Sequence, residues 1–244
     1  MTAVVLLHAF PVNRHLWDDQ REFLERVGYT VFAPDLGGFG ESEAPSAPTL
    51  LDMVSPVLAR LSKPAVFVGL SMGGYLLMEL LRRSPERVAG AVFVDTKATA
   101  DTAAARQGRF ELAHRMAADP DMSEFADVMA GNLLGATTLA QRPEVVSTVR
   151  GWIEAAPPTA VGNAARAMAD RIDSVPVLRR YEGPAAVVWG SEDVVSPQAE
   201  QEIMLEAMPQ AVAREIPGVG HLSAVEDPSA LNDILLDVLR DWLG

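Results

Sequence analysis

A doubly wound α/β architecture built on a parallel sheet is predicted by three observations. Six short β-rich runs alternate with helical patterns along the chain. Each run is nearly continuously apolar rather than alternating, the pattern of strands covered on both faces. One run, Ala65–Val68, leads into Gly69-Leu70-Ser71-Met72-Gly73-Gly74, which turns at once into a helical pattern.

The runs, in order, are Ala3–Leu7, Thr30–Ala33, Ala65–Val68, Ala89–Val94, Ala185–Trp189 and about Val212–Ile216. A helix carrying Trp17 and Phe23 precedes the second, and Ser84-Pro85-Glu86-Arg87-Val88 leads into the fourth. Between Lys97 and Tyr181 the rhythm stops. Helical patterns near 101–118, 122–134, 143–155 and 160–170 are punctuated by Asp119-Pro120, Arg142-Pro143 and Pro157-Pro158. This predicts a core of residues 1–97 and 181–244 with a helical lid, 98–180, inserted over the ends of the strands.

The 244 residues, 49% of them hydrophobic, suffice for one large domain with an inserted subdomain. The absence of cysteine excludes disulfides, thiolate metal sites and thiol catalysis. A net charge of −13 without a basic patch makes nucleic acid and anionic membrane surfaces poor partners. No apolar run approaches the roughly 20 residues of a membrane span. Met1-Thr2 leads straight into a strand pattern without a basic start or cleavage site, so a cytoplasmic protein is expected.

The chemistry centres on Ser71. At the apex of a strand–turn–helix, a serine must take a strained backbone conformation that lifts its hydroxyl off the sheet edge. Residues two before and two after it then come close, and glycine meets that demand at 69 and 73. An activated serine needs a base, and the base an orienting acid. Of four histidines, His221 lies on the flexible loop Gly218-Val219-Gly220-His221 after the last strand; His15 and His114 lie in polar or helical contexts, and His8 ends the first strand as a structural anchor. Acid candidates sit at strand ends: Asp193 after the fifth, Asp95 after the fourth, Asp35 after the second. An oxyanion hole needs two backbone N–H groups. Met72, opening the helix, and Phe10, in the loop His8-Ala9-Phe10-Pro11, are the candidates. No residue cluster has the makings of a metal site.

These motifs, together with Asp35-Leu36-Gly37-Gly38-Phe39-Gly40-Glu41-Ser42, Pro85-Glu86-Arg87-Val88 and Gly190-Ser191-Glu192-Asp193, resemble the α/β-hydrolase superfamily over nearly the whole chain. The resemblance implies acyl transfer to water through an acyl-serine, without a cofactor. Its nucleophile–acid–base order selects Ser71, Asp193 and His221, with Asp95 the alternative acid. Two departures stand out. The usual His-Gly pair is His8-Ala9, and only seven residues precede His8, too few for the β-hairpin the family often carries. The expected sheet therefore has six parallel strands with the second in sequence at an edge, and the chain is expected as a monomer or a homodimer through that edge.

Within the superfamily, the compact lid and the segment Arg166–Ser174 look like the 3-oxoadipate enol-lactonase group. Lid residues Phe125, Met129, Leu133, Leu134, Trp152 and Met168 are placed to line an apolar pocket, and Arg171 to hold a substrate carboxylate as a charge-assisted pair. The expected substrate is a small ester or lactone. Alternatives on the same triad are cofactor-free haloperoxidase or perhydrolase chemistry and carbon–carbon bond hydrolysis. A non-catalytic ligand-binding protein is the alternative outside enzymes, and an intact Ser71, Asp193 and His221 argues against it.

Overall fold

A computed structural model describes residues 2–44, 49–118 and 120–243; Asp119 of the expected Asp119-Pro120 break lies outside them. Six strands form one parallel sheet: β1 (Ala3–Leu7), β2 (Thr30–Phe32), β3 (Ala65–Leu70), β4 (Val88–Val94), β5 (Ala185–Gly190) and β6 (Val212–Ile216), in the spatial order β2-β1-β3-β4-β5-β6. The second strand is at an edge, as expected.

The four central strands are buried on both faces, which is why they read as unbroken apolar runs. The edge strands are a correction to the sequence reading. Thr30 of β2 is exposed, and so are Ala213, Arg214 and Glu215 of β6. Each edge strand pairs with a single neighbour, so solvent reaches what a central strand would hide.

Helices α1 (Asp18–Arg26), α2 (Leu50–Ala59) and α3 (Met72–Arg83) lie among the first strands. Helix α2 begins in a reciprocal capping box: Asp52 N–H donates to Thr49 Oγ1 and Thr49 N–H to Asp52 Oδ2. After β4 come α4 (Ala103–Ala117), α5 (Met122–Leu133), α6 (Ala136–Gln141), α7 (Pro143–Glu154), α8 (Pro158–Ala169) and α9 (Val175–Leu178); then α10 (Gln198–Ala207) follows β5, and α11 (Ser223–Glu226) and α12 (Pro228–Leu243) follow β6. Helix α12 buries Leu231, Leu235, Val238 and Leu239, a stripe at helical spacing.

The inserted helices pair off, α4 on α8 and α5 on α7, while α9 packs on α3 and α10. Helix α6 was not expected. Its N-cap is Gly135, which offers no capping side chain, and no local sequence pattern announces it. The orphan N–H groups at its start are met by carboxylates distant in sequence: Gly135 N–H donates to Glu226 Oε2 (2.8 Å) and Thr137 N–H to Glu192 Oε2 (2.8 Å).

Candidate active site

Strand β3 ends at Leu70 and α3 starts at Met72, leaving Ser71 alone at the apex with φ 53° and ψ −110°. That left-handed backbone is uncommon for a residue with a side chain and marks a constrained position. The chain around it is as tight as the sequence implied. A Cβ on Gly69 would run into the Gly73 carbonyl, and one on Gly73 into the Leu7 carbonyl of β1. Ser71 N–H donates to Val94 O (3.0 Å), and Thr96 Oγ1 donates to Ser71 O (2.8 Å).

His221 reaches Ser71 from the loop after β6. Its Nε2 lies 2.8 Å from Ser71 Oγ, and its Nδ1 lies 2.8 Å from Asp193 Oδ2. All three side chains are almost closed off; Ser71 keeps 7% of its surface exposed. Burial alone would raise the pKa of Asp193. The His221 charge and hydrogen bonds from His221 and Ser196 outweigh it and hold the carboxyl at about 2. Burial alone would lower the pKa of His221; the Asp193 carboxylate reverses this, and the pKa ends above the ordinary value. A hydroxyl, an imidazole and a carboxylate in this series can take the proton from Oγ as the oxygen attacks a carbonyl carbon.

Ser196, which the sequence reading passed over, is part of this arrangement. Its hydroxyl donates to Asp193 Oδ2 (2.5 Å), while the N–H groups of Val195 and Ser196 donate to Oδ1 (2.8 and 3.0 Å). The signal was present: an Asp side chain accepting the N–H groups two and three residues on, ahead of the Pro197 that caps α10, is a side-chain-stabilised turn.

Asp95, the alternative acid, does not face the imidazole nitrogen. Its oxygens accept Gly190 N–H (2.9 Å) and Ser223 N–H (3.0 Å). It is fully buried, its φ is 43°, and burial, followed by the charge of Asp193, pushes its pKa up to about 7.

The loop after β1 carries Phe10, and its shape is held by His8. Leu36 N–H donates to His8 Nε2 (3.0 Å), so Nδ1 carries the proton toward Ala9 O (2.9 Å). Burial pulls the His8 pKa down to about 4, which keeps this bonding pattern neutral. Phe39 packs edge-on against both His8 and Phe10. Asp35 accepts Arg14 N–H and Glu41 N–H, each at 2.9 Å, closing the second glycine-rich motif onto the same loop. Met72 is the first residue of α3, where the helix leaves N–H groups without intrahelical acceptors.

The residues expected to line a lid pocket fall in different places. Leu133 is buried, and its carbonyl accepts His221 N–H (2.9 Å). Met129 lines a cavity of about 450 Å³ between α4 and α5, with Leu112, Met116 and Phe125. Trp152 is half-buried on α7 and packs against the core. Arg171 lines a cavity of about 260 Å³ with Tyr75, Leu50 and Ala167, and its guanidinium is held within the chain: Nη1 donates to Thr99 O, Nη2 to Asp101 Oδ1 (2.7 Å), and the group lies over the Tyr75 ring. Among the described residues, no group of three or more His, Cys, Asp or Glu is placed to hold a metal ion, and no helix is long and apolar enough to cross a membrane.

With this geometry in place, the relatives become informative. An esterase from Thermogutta terrifontis, solved with malate bound, superposes with a TM-score of 0.93 at 34% identity, covering 100% of this chain and 91% of that one. The 3-oxoadipate enol-lactonase 2 of Acinetobacter baylyi is 26% identical over 243 residues, 98% of this chain and 88% of that protein. A pimeloyl-[acyl-carrier protein] methyl ester esterase of Aromatoleum aromaticum is 27% identical over 248 residues, 97% of this chain and 98% of its own length. Residues 2–228 match the alpha/beta hydrolase fold family, so the chain belongs to that family and its broad class is hydrolase.

Proposed function

We propose that the chain hydrolyses a small carboxylic ester or lactone through an acyl-serine intermediate. The observation that carries this reading is the pair of 2.8 Å contacts running from Ser71 Oγ through His221 to Asp193. Ser71 Oγ attacks the carbonyl carbon as His221 Nε2 takes its proton. Charge collects on the carbonyl oxygen, to which the N–H groups of Phe10 and Met72 donate. The tetrahedral adduct collapses, and His221 returns the proton to the departing alkoxide. That alkoxide leaves as an alcohol from an ester and stays tethered to the acyl group from a lactone. Water, deprotonated by the same imidazole, then frees the acid and restores Ser71. Asp193 holds the imidazole in the tautomer and orientation that both halves need. No step calls on a metal or a cofactor. The esterase and lactonase names of the relatives support this chemistry.

Residues 98–180 act in this reading as a lid that selects the substrate, with Leu133, Met129 and Trp152 among its apolar contacts. Trp152→Ala then changes KM or chain-length preference more than reactivity toward a small probe.

The test is a fluorophosphonate probe combined with a panel of p-nitrophenyl esters, lactones and peracid formation. The probe labels Ser71, and Ser71→Ala abolishes both labelling and turnover. Labelling that persists in Ser71→Ala places the nucleophile elsewhere. Peracid formation that outruns every ester and lactone replaces hydrolysis with perhydrolysis as the activity.

A further inference from the structure

We propose that Asp95 and Glu226 are positioning residues of the His221 loop, which with Asp193 grip three consecutive residues and load the imidazole with negative charge. The proposal rests on the Ser71–His221 reading above and extends it to two carboxylates that the reaction scheme leaves unused.

The three grips are in register with the chain. His221 Nδ1 meets Asp193 Oδ2 at 2.8 Å, Leu222 N–H donates to Glu226 Oε1 at 3.0 Å, and Ser223 N–H donates to Asp95 Oδ2 at 3.0 Å. Each added carboxylate uses its second oxygen on a different part of the fold. Asp95 Oδ1 accepts Gly190 N–H (2.9 Å), where β5 ends and the Asp193 turn begins. Glu226 Oε2 accepts Gly135 N–H (2.8 Å), at the start of α6. Asp95 thus ties the acid loop and the base loop to the end of β4, and Glu226 ties the base loop to the inserted helices. The contact is tight: a Cβ on Gly220 would overlap Gly135 N.

Both side chains are buried, Asp95 completely and Glu226 to all but 4%. Among the described residues neither carboxylate forms an ion pair. A buried carboxylate without a cation is expensive, and a loop anchor alone does not require charge. The charge has an evident recipient in the imidazolium that forms when Ser71 gives up its proton. Asp193, Asp95 and Glu226 each act to raise the His221 pKa against its burial, Asp95 only while it is ionised, since its own pKa is pushed up to about 7. Other charged groups around the loop are Glu192, held by Thr137, Asp227, whose N–H donates to Ser223 O and whose Oδ1 accepts Ala230 N–H, and Arg142, whose Nη1 donates to the Glu226 main-chain carbonyl and not to its carboxylate.

The test uses Asp95→Asn and Glu226→Gln in the full chain. Each keeps the side chain's shape but removes the charge and one of its two acceptors. The chain has only four histidines, so the His221 imidazole can be followed by NMR through a pH titration, assigned with a His221→Gln variant. In each variant the His221 pKa falls. The acidic limb of kcat/KM moves to lower pH by the same amount, and kcat drops roughly 10- to 100-fold while KM holds. A merely structural role moves neither the titration nor the limb. Folded variants whose His221 titrates as in the parent overturn the proposal, as does loss of fold in both, which marks the carboxylates as scaffold alone. Ser71→Ala is the control for the underlying reading: turnover surviving in it defeats that reading, while the NMR titration still decides the role of the two carboxylates.

Discussion

Arg171 Nη2 donates to Asp101 Oδ1 at 2.7 Å, and through this pair the two crossings between sheet and inserted helices are stitched together. Asp101 lies on the crossing out of β4 and Arg171 on the crossing back toward β5. Ser174 N–H donates to Ala98 O (2.9 Å) across the same seam, and Arg109 Nε holds the other Asp101 oxygen (2.5 Å). The side chains of Arg171 and Asp101 are 5% and 2% exposed, so the pair lies out of bulk water.

Removing one member of such a pair leaves an uncompensated buried charge. Asp101→Ala is expected to destabilise the fold by about 3 kcal/mol or more, read from urea unfolding. Arg171→Ala is expected to reduce turnover of neutral and anionic esters evenly, because both terminal nitrogens are engaged within the chain. A loss confined to anionic substrates would restore Arg171 as the substrate's carboxylate partner and remove the seam as its main role.

Asp193→Asn is expected to lower kcat by several orders of magnitude, about 10⁴-fold by analogy with serine proteases. The amide cannot hold the imidazole in the tautomer that accepts the Ser71 proton. Steady-state kinetics on a p-nitrophenyl ester decide this; a loss below tenfold would assign the orienting acid elsewhere.

The pH dependence of kcat/KM has a definite sign. The competent base is neutral imidazole, and the His221 pKa is raised, so activity climbs as pH rises through a value above the ordinary 6.5. A profile already flat by pH 6 contradicts the charge environment around His221.

His8 gives the fold its own pH response. Its pKa is about 4 in the folded chain against the ordinary 6.5, so the unfolded state binds the extra proton between these limits. Stability from this group is complete above 6.5 and is lost as pH falls toward 4, by an amount on the order of 3 kcal/mol. Denaturant unfolding across this window shows the slope, and His8→Gln flattens it. An equal slope in that variant assigns the acid sensitivity to other groups.

Most of the frame was legible in the sequence because its causes are local. Unbroken apolar runs such as Val66–Val68 follow from burial on both faces, and Gly69 and Gly73 from a turn with no room for a side chain. The limits of that reading have physical causes too. Edge strand β6 differs from its central neighbours already in composition: Arg214 and Glu215 are exposed because only one strand flanks it. Helix α6 went unseen because the groups that meet its first N–H groups, Glu192 and Glu226, lie 55 and 91 residues away.

The sequence by itself determined the strand–turn–helix around Ser71, the parallel order implied by alternating strands and helices, and the shortlist of His221 with Asp193, Asp95 and Asp35. Each of these depends on neighbours within a turn or two, where residue type constrains the backbone directly. Only the tertiary structure decided how the shortlist is used. Asp193 and Asp95 end adjacent strands and look alike in one dimension, yet one carboxylate meets the imidazole and the other meets two backbone N–H groups. The same holds for Arg171, whose partner is set by where two distant crossings meet. Side-chain partners across a sheet are chosen by geometry that no local spacing encodes.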